Sequence, residues 1–474
     1  MALSTQESDF PGWYQEVVKG AQLAENSLVR GTMVIRPYGY AIWEAIQAGL
    51  DRRIKETGHE NLYFPLLIPM KLLEKEADHV EGFTPQVAVV TQAGGSKLDE
   101  PLVIRPTSET IIWATYAKWI QSYRDLPLLY NQWANVVRWE MRPRLFLRTT
   151  EFLWQEGHTA HETAQEAMHE TLMILHDVYR ATVEEDFAIP VSTSRKSASE
   201  RFPGAQETYS IEAMMKDGKA LQAGTSHYFG QNFSKAYDVR FQGRDGSQQH
   251  PYSSSWGVST RLIGGLVMTH GDDSGLRLPP RLAPTQVVIV PIYRSEEDRS
   301  SVLEAASKIS SELDGVRIKI DDRDQFRPGY KFNEWELKGV PVRVELGPKD
   351  LASQQAILFR RDSQVKQTVE LNSLAARIPG LLDDIQKELF DQAAAFRDSR
   401  TIDVSEYSEM KDYLSTGQGF ARSIWCGSET CEAQVKDETK ATIRGLPIDK
   451  QEVSGKCIVC GQKGEETALW AQSY

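Results

Sequence analysis

The stretch Arg138 to His158, RWEMRPRLFLRTTEFLWQEGH, concentrates more reactive side chains than any other part of the chain. Arg138 and Arg148 share it with Phe152, Trp154, the carboxylates Glu140 and Glu156, and His158. A guanidinium fork matches phosphate oxygens, and an aromatic or cationic face stacks on a purine ring. Leu147 to Gln155 alternates well enough to read as a strand with one face toward a ligand. The stretch has no glycine-rich phosphate loop of the Walker or dinucleotide type. It reads as a nucleotide site on an antiparallel sheet.

A second cluster lies at the far end. The chain has four cysteines, Cys426, Cys431, Cys457 and Cys460, in the order C-x4-C, 25 residues, C-x2-C. Two close pairs of soft ligands suit tetrahedral Zn2+ and leave no water position, so such a metal is structural. Free thiols or two disulfides are the competing reading; 425 cysteine-free residues ahead of them speak against a disulfide-stapled secreted chain. His161, His169 and His176 also invite a metal reading. Without neighbouring thiolates they read better as solvent-facing residues of a helix over 161–186.

These groups need elements to hold them. Helical periodicity recurs over Trp13–Ala24 and Tyr40–Glu56, and helices are predicted at 109–123 and 161–186. VAVVTQAGGSKL followed by EPLVIRP reads as a hairpin turning at Gly94–Gly95. Strand-like segments follow at 219–242 and 252–268, then a proline-rich linker, HGDDSGLRLPPRLAPTQ. From Val287 the pattern becomes alternating β/α, through QVVIVPI, VRIKIDD, VPVRVELG and AILFRRD to a last helix near 368–396, which predicts a small domain with a mixed sheet.

The 474 residues predict about three domains at roughly 150 residues each. The hydrophobic fraction of 41% is enough for real cores. The lack of a long apolar run predicts no membrane span, and MALSTQESDFPGWYQEV does not read as a secretory signal. A cytoplasmic enzyme is expected. The net charge of −12 argues weakly against a nucleic-acid partner. Yet Val316–Lys366 holds eleven basic and eight acidic residues, +3 locally. Local patches decide whether a phosphate backbone docks.

Five segments in order point to a family: RPTSE (Arg105 to Glu109), RWE through FLWQEGH, QAGTSHYFGQNFSK (Gln222 to Lys235), WGVSTRLIGGLVMTHGDDSGLRLPP and GVPVRVELGPKDL. Together they resemble the class II aminoacyl-tRNA synthetases, and within them the prolyl-tRNA synthetases of the archaeal/eukaryotic-like type, over nearly the whole chain. The resemblance implies an α+β catalytic domain on an antiparallel sheet at 1–283, an α/β anticodon-binding domain with a mixed sheet at 284–400, and a small C-terminal zinc-binding α+β domain at 401–474. Only 98 residues separate His158 from Gly257, too few for the long editing insertion of the bacterial type.

The implied reaction activates L-proline with ATP and Mg2+, releases pyrophosphate, and transfers proline to tRNA(Pro) in a homodimer joined near Gly31 to Pro65. The carboxylate is already ionised, so alignment and charge neutralisation are the requirements. Arg138 is the expected partner of both the carboxylate and the α-phosphate, with Arg261 as the second catalytic arginine. A surface ion pair between Arg138 and Glu140 is the competing reading. Arg261 and Phe152 would sandwich the adenine. Arg148 and Thr149 would hold the terminal phosphates, Gln222, Thr225 and Ser259 would complete the nucleotide site, and Glu140 would serve adenine or metal. A secondary amine needs acceptors for two N–H groups and a tight apolar wall. Thr107 and Glu109 fit the first need; Trp154, Glu156, His158 and His227 fit the second. Ser108 reads as a turn residue.

In the anticodon-like domain, Arg343, Glu345, Lys349 and Asp350 are candidates for reading guanines, with solvated loop charges as the alternative. The resemblance also implies that the carboxylate of Tyr474 folds toward the active site. A non-catalytic synthetase-like RNA-binding or regulatory protein is the alternative function. The presence of Arg138, Arg261 and Glu109 speaks against it.

Overall fold

A computed structural model describes residues 3–77, 87–450 and 452–474. Its largest sheet has seven strands. In spatial order they are Glu60–Asn61, Leu128–Val137, Glu151–His161, Tyr252–Ser259, Ala220–Gly230, Glu207–Met214 and Val191–Arg195. All pairings are antiparallel except the short one between Glu60–Asn61 and Leu128–Val137.

Helices cover one face. Asp9 opens the helix Phe10–Gly20 by accepting a hydrogen bond from the Gly12 amide at 2.9 Å, and Pro11 occupies its first turn, where no amide is needed. Trp13, Tyr14, Val17 and Val18 form its buried stripe. In the helix Pro37–Glu56 the buried Ile42, Ile46, Leu50 and Ile54 recur every four residues, with Trp43 beside them. Both stripes join one core with Tyr179, Trp256 and Leu262.

The predicted helix over 161–186 begins later. Thr163 and Glu166 form a capping box, and the helix runs Ala164–Met173, through a π-helical segment Ile174–Arg180, to Ala181–Glu185. His161 is therefore the last residue of the strand Glu151–His161, 4% exposed and hydrogen-bonded to Thr159 Oγ1 at 2.8 Å. It is not a helix-surface residue; the cap, not the apolar period, sets the boundary. The strand-like stretch 252–268 also divides, into the strand Tyr252–Ser259 and the buried helix Arg261–His270.

The second sheet has five strands in the order Ile318–Ile320, Val287–Pro291, Val342–Leu346, Gln355–Arg360 and Lys366–Glu370. The first three are parallel and the last two antiparallel, a mixed sheet. Residues 368–370 were expected to open a helix near 368–396, but they end the strand Lys366–Glu370, and the helix starts at Leu374. The third sheet has four strands, in the order Thr401–Asp403, Phe420–Trp425, Glu466–Ala471 and Thr442–Gly445.

Candidate active site

The open face of the seven-stranded sheet carries the site. Register sets which side chains meet. Glu156 lies opposite Gln132 on one side and Gly257 on the other, His158 opposite Ser255, and Trp154 opposite Ser259. His227 continues the row beyond Ser255, and Thr208 beyond His227. Because side chains alternate, residues of like parity share a face. All of these but Gln132 line a cavity of about 210 Å³.

RPTSE closes one side. Arg105 is fully buried; it donates to Phe64 O at 2.7 Å and Asn135 O at 2.8 Å, which holds the loop against the sheet. Thr107 donates to the Glu109 carboxylate, and both face the cavity. Ser108 is more than a turn residue. It is fully buried, and its hydroxyl donates to Glu156 Oε1 at 2.5 Å. Gln132 donates to the same oxygen at 2.7 Å, and the His158 ring meets the other at 2.9 Å. The Glu156 carboxyl is 1% exposed. Burial alone would raise its pKa; these partners lower it, so it stays ionised. Ser108 and Gln132 are supports that the chain order does not announce.

Arg138 lies at the middle. Its Nε donates to Pro106 O at 2.9 Å, and its guanidinium lies 5.3 Å from the Trp154 ring centre and 5.6 Å from that of Phe152. It keeps solvent access through the cavity, but surrounding protein lowers its pKa against the opposing pull of Glu109 and Glu156. Glu140 is turned instead toward the Arg142 amide, at 2.9 Å.

Beyond Arg138 a second cavity of about 180 Å³ shares Arg138, Phe152, Ser259 and Arg261 with the first and adds Glu140, Arg148 and Thr149. Arg261 Nε donates to Leu147 O at 3.3 Å, and its backbone amide to Ser259 Oγ at 3.2 Å. Burial, then Arg138 and Arg148, push the Arg261 pKa down to about 10, still well above neutral. Gln222 and Thr225 line the first cavity. So do Glu200 and Phe202, which were not anticipated; the Phe202 ring lies 4.6 Å from that of His227. Burial pushes the His227 pKa down to about 3, which keeps that ring neutral.

The four cysteine sulfurs lie within 4.8 Å of one another. Cys426 Sγ is 3.6 Å from Cys431 Sγ and 3.7 Å from Cys460 Sγ. Tetrahedral thiolates at about 2.3 Å from zinc sit roughly 3.8 Å apart, so the set fits that ion. The turns are glycine-built: Gly427 and Gly461, each directly after a cysteine, have φ of 77° and 70°.

In the mixed-sheet domain Arg343 and Glu345 are 4% exposed each and bind one another at 2.9 Å. Arg343 is also stacked between Phe332 and Phe359, at 4.3 and 4.2 Å. Lys349 is exposed, and Asp350 accepts from the Gly347 amide at 2.8 Å. Tyr474 donates its amide to Ala220 O at 3.1 Å and its hydroxyl to Asp217 at 2.7 Å, on the rim of the large sheet.

An antiparallel sheet with arginines on its open face is the arrangement expected of a class II aminoacyl-tRNA synthetase, and the residues that carry those arginines match a family of that class. Residues 91–270 match the tRNA synthetase class II core domain (G, H, P, S and T), 286–381 the anticodon binding domain, and 407–474 the prolyl-tRNA synthetase C-terminal family. The chain is 55% identical over 477 residues to a proline–tRNA ligase of Roseiflexus castenholzii, covering 100% of this chain and 99% of that one. It is 53% identical to proline–tRNA ligase 2 of Clostridioides difficile, covering 100% and 98%. A crystal structure of prolyl-tRNA synthetase from Cryptosporidium parvum, complexed with halofuginone and AMPPNP, superposes with a TM-score of 0.95 at 40% identity, covering 100% of this chain and 99% of the other. The chain belongs to the prolyl-tRNA synthetase family: it is a ligase that forms an aminoacyl-tRNA from proline.

Proposed function

We propose that the two adjoining cavities divide the reactants, with proline and the adenine end of ATP in the first, the ATP phosphates toward the second, and Arg138 between them. The observation that carries this is the position of Arg138, shared by both cavities and bounded by Glu109 and Glu156 on one side and Arg261 on the other. Thr107 and Glu109 accept the two N–H bonds of the prolinium nitrogen. Trp154, His158 and the neutral His227 wall its ring, and Glu156 keeps them in register. The proline carboxylate, drawn to Arg138, attacks the α-phosphorus, and pyrophosphate leaves toward Arg148, Thr149 and Arg261. Phe152 and Arg261 enclose the adenine, Gln222, Thr225 and Ser259 complete its site, and Glu140 serves adenine or Mg2+. Transition-state charge is met by arginines already in place, which is where preorganised electrostatics contributes most. The C. parvum enzyme's complex with AMPPNP supports a nucleotide in the same fold.

The same reading gives Zn2+ to Cys426, Cys431, Cys457 and Cys460, where it would cross-link two loops of the C-terminal domain. It sets domain divisions at 283/284 and 400/401 and places the enzyme in the cytoplasm. It also makes it a homodimer, a role supported by Leu28, Val29 and Val34, all exposed apolar residues in and around the hairpin Ala24–Ile35. In the anticodon domain Lys349 is the accessible contact for tRNA(Pro); Arg343 and Glu345 reach bases only if their mutual pairing opens, and Asp350 shapes the loop. Tyr474 fixes the tail to the rim of the site. Proline-dependent ATP–pyrophosphate exchange tests the assignment. Arg138→Lys should lower kcat/KM for both substrates, whereas Thr107→Val should act on proline alone. An ATP-selective loss in Thr107→Val would exchange the two cavities.

A further inference from the structure

The charges beneath the nucleotide end of the site do not all come from the catalytic sheet. Glu212, 1% exposed, lies opposite Gln222. Lys196 Nζ reaches its Oε1 at 2.6 Å. Arg444 Nη2 reaches both of its oxygens at 3.0 Å, across 232 residues of chain. Lys196 Nζ also donates to Arg444 O at 3.2 Å. Arg444 Nη1 donates to Thr442 Oγ1 at 3.1 Å and Ser473 Oγ at 3.4 Å, and lies 3.6 Å from Glu200 Oε2. Lys196 and Arg444 are 1% and 5% exposed. Two cations and two carboxylates thus form one closed network, and Glu200 and Gln222 carry it to the cavity wall.

Buried ion networks are weak sources of stability, because desolvation offsets most of the attraction. The position of this one suggests another use. Arg138 and Arg148 repel Arg261 before a polyanion arrives; Glu212 opposes that repulsion and Arg444 adds to it. An unrestrained Glu212 would compete with phosphate for Arg261. Pinned by Lys196 and Arg444, it stays in place, and so does the wall at Gln222 opposite it.

We propose that Arg444 is a positioning residue for the ATP end of the active site: with Lys196 it fixes the Glu212 carboxylate opposite Gln222, which shares a cavity with Arg261, so the four-cysteine domain completes the nucleotide site. This rests on the ATP reading above. The network is a lever between the two domains, and ATP affinity, not proline affinity, is what it moves.

The test is proline-dependent pyrophosphate exchange by the full-length enzyme, with ATP and proline varied separately, in Arg444→Met, Arg444→Lys and the double variant Glu212→Gln/Arg444→Met. A charge-assisted hydrogen bond to a buried carboxylate corresponds to about a tenfold change in an equilibrium constant. Arg444→Met should therefore raise KM for ATP about tenfold and leave KM for proline within about twofold. Arg444→Lys, which keeps the charge but loses the fork, should restore part of the loss. Should Arg444→Met fail to fold, Arg444→Lys still decides, through a smaller rise of the same selectivity. Unchanged KM for ATP in folded Arg444→Met and Arg444→Lys, or a fall in kcat with both KM values unchanged, overturns the proposal. Arg261→Lys separates the two levels: if it leaves KM for ATP unmoved, the ATP placement itself is wrong.

Discussion

Replacing Gly157 by alanine tests whether the wall proposed for proline is as rigid as its packing implies. Gly157 lies between Glu156 and His158 and is paired to Asn131 on one side and Trp256 on the other. A Cβ there would fall 2.1, 2.2 and 2.3 Å from three atoms of the Trp256 ring. Carbon atoms rest about 3.5–4.0 Å apart, so something must move by more than an ångström. The ring is 1% exposed and set edge-on to His59 and Tyr179, with centres 5.2 and 6.3 Å away. The strand is held by ladders on both sides, so neither partner yields easily. Overpacking of this kind costs about 1–3 kcal/mol, and the geometry puts this case at the upper end. At roughly 2–4 °C per kcal/mol, Tm should fall by roughly 6–12 °C. Any strand shift also carries Glu156 and His158 with it, so kcat/KM for proline should fall by roughly tenfold or more, beyond the loss for ATP. Calorimetry and pyrophosphate exchange on the same sample give both numbers. A Gly157→Ala enzyme with unchanged Tm and unchanged KM for proline would refute the packing argument.

Chelation should remove about one zinc per chain, by atomic absorption, and lower the Tm of the C-terminal domain; melting that is unchanged after complete metal removal would count against a structural ion. His161, His227 and His270 have pKa values pushed down by burial to about 4, 3 and 3. Below the unfolded value of about 6.5 the native state therefore binds fewer protons, so stability should fall as pH drops from 6.5 toward 4 and stay level above 7. His270→Gln should flatten that slope by at most about 1.4 kcal/mol per pH unit, read from urea unfolding, and an unaltered slope would remove His270 from the account. Lys349→Ala should weaken tRNA aminoacylation severalfold while leaving pyrophosphate exchange intact. Arg343→Ala, which leaves Glu345 with Lys366 alone, should lower Tm as well; equal stability of the two variants would contradict the buried pairing.

Much of the site was legible in the chain because its chemistry is local in sequence. RPTSE, RWE and FLWQEGH each keep their reactive side chains within a few residues, and two-residue alternation assigns 154, 156 and 158 to one face. Boundaries were less legible. The cap at Thr163 moved His161 from helix to strand, and a fifth strand at Lys366–Glu370 preceded a helix expected to begin there. For Arg343 and Glu345 the chain left open guanine readers or solvated loop charges, because a strand sequence does not say which face is buried; their mutual pairing and the Phe332 and Phe359 rings bury them.

Residue types and spacing alone read as a nucleotide site on an antiparallel sheet and as a four-cysteine tail suited to a soft metal, because those depend on functional groups; the reaction class came from the resemblance of five ordered segments to a family. Residue types and spacing also fix most helices, through caps and apolar period. Folding decided the partners. That Ser108 and Gln132 converge on the Glu156 carboxylate, that Gly157 must leave room for Trp256, and that Arg444 reaches Glu212 across 232 residues follow from strand register and domain docking. Such pairings join groups far apart in the chain. Nothing in the local sequence encodes them; they form only when burial of the shared cores repays the entropy of closing the loops between them.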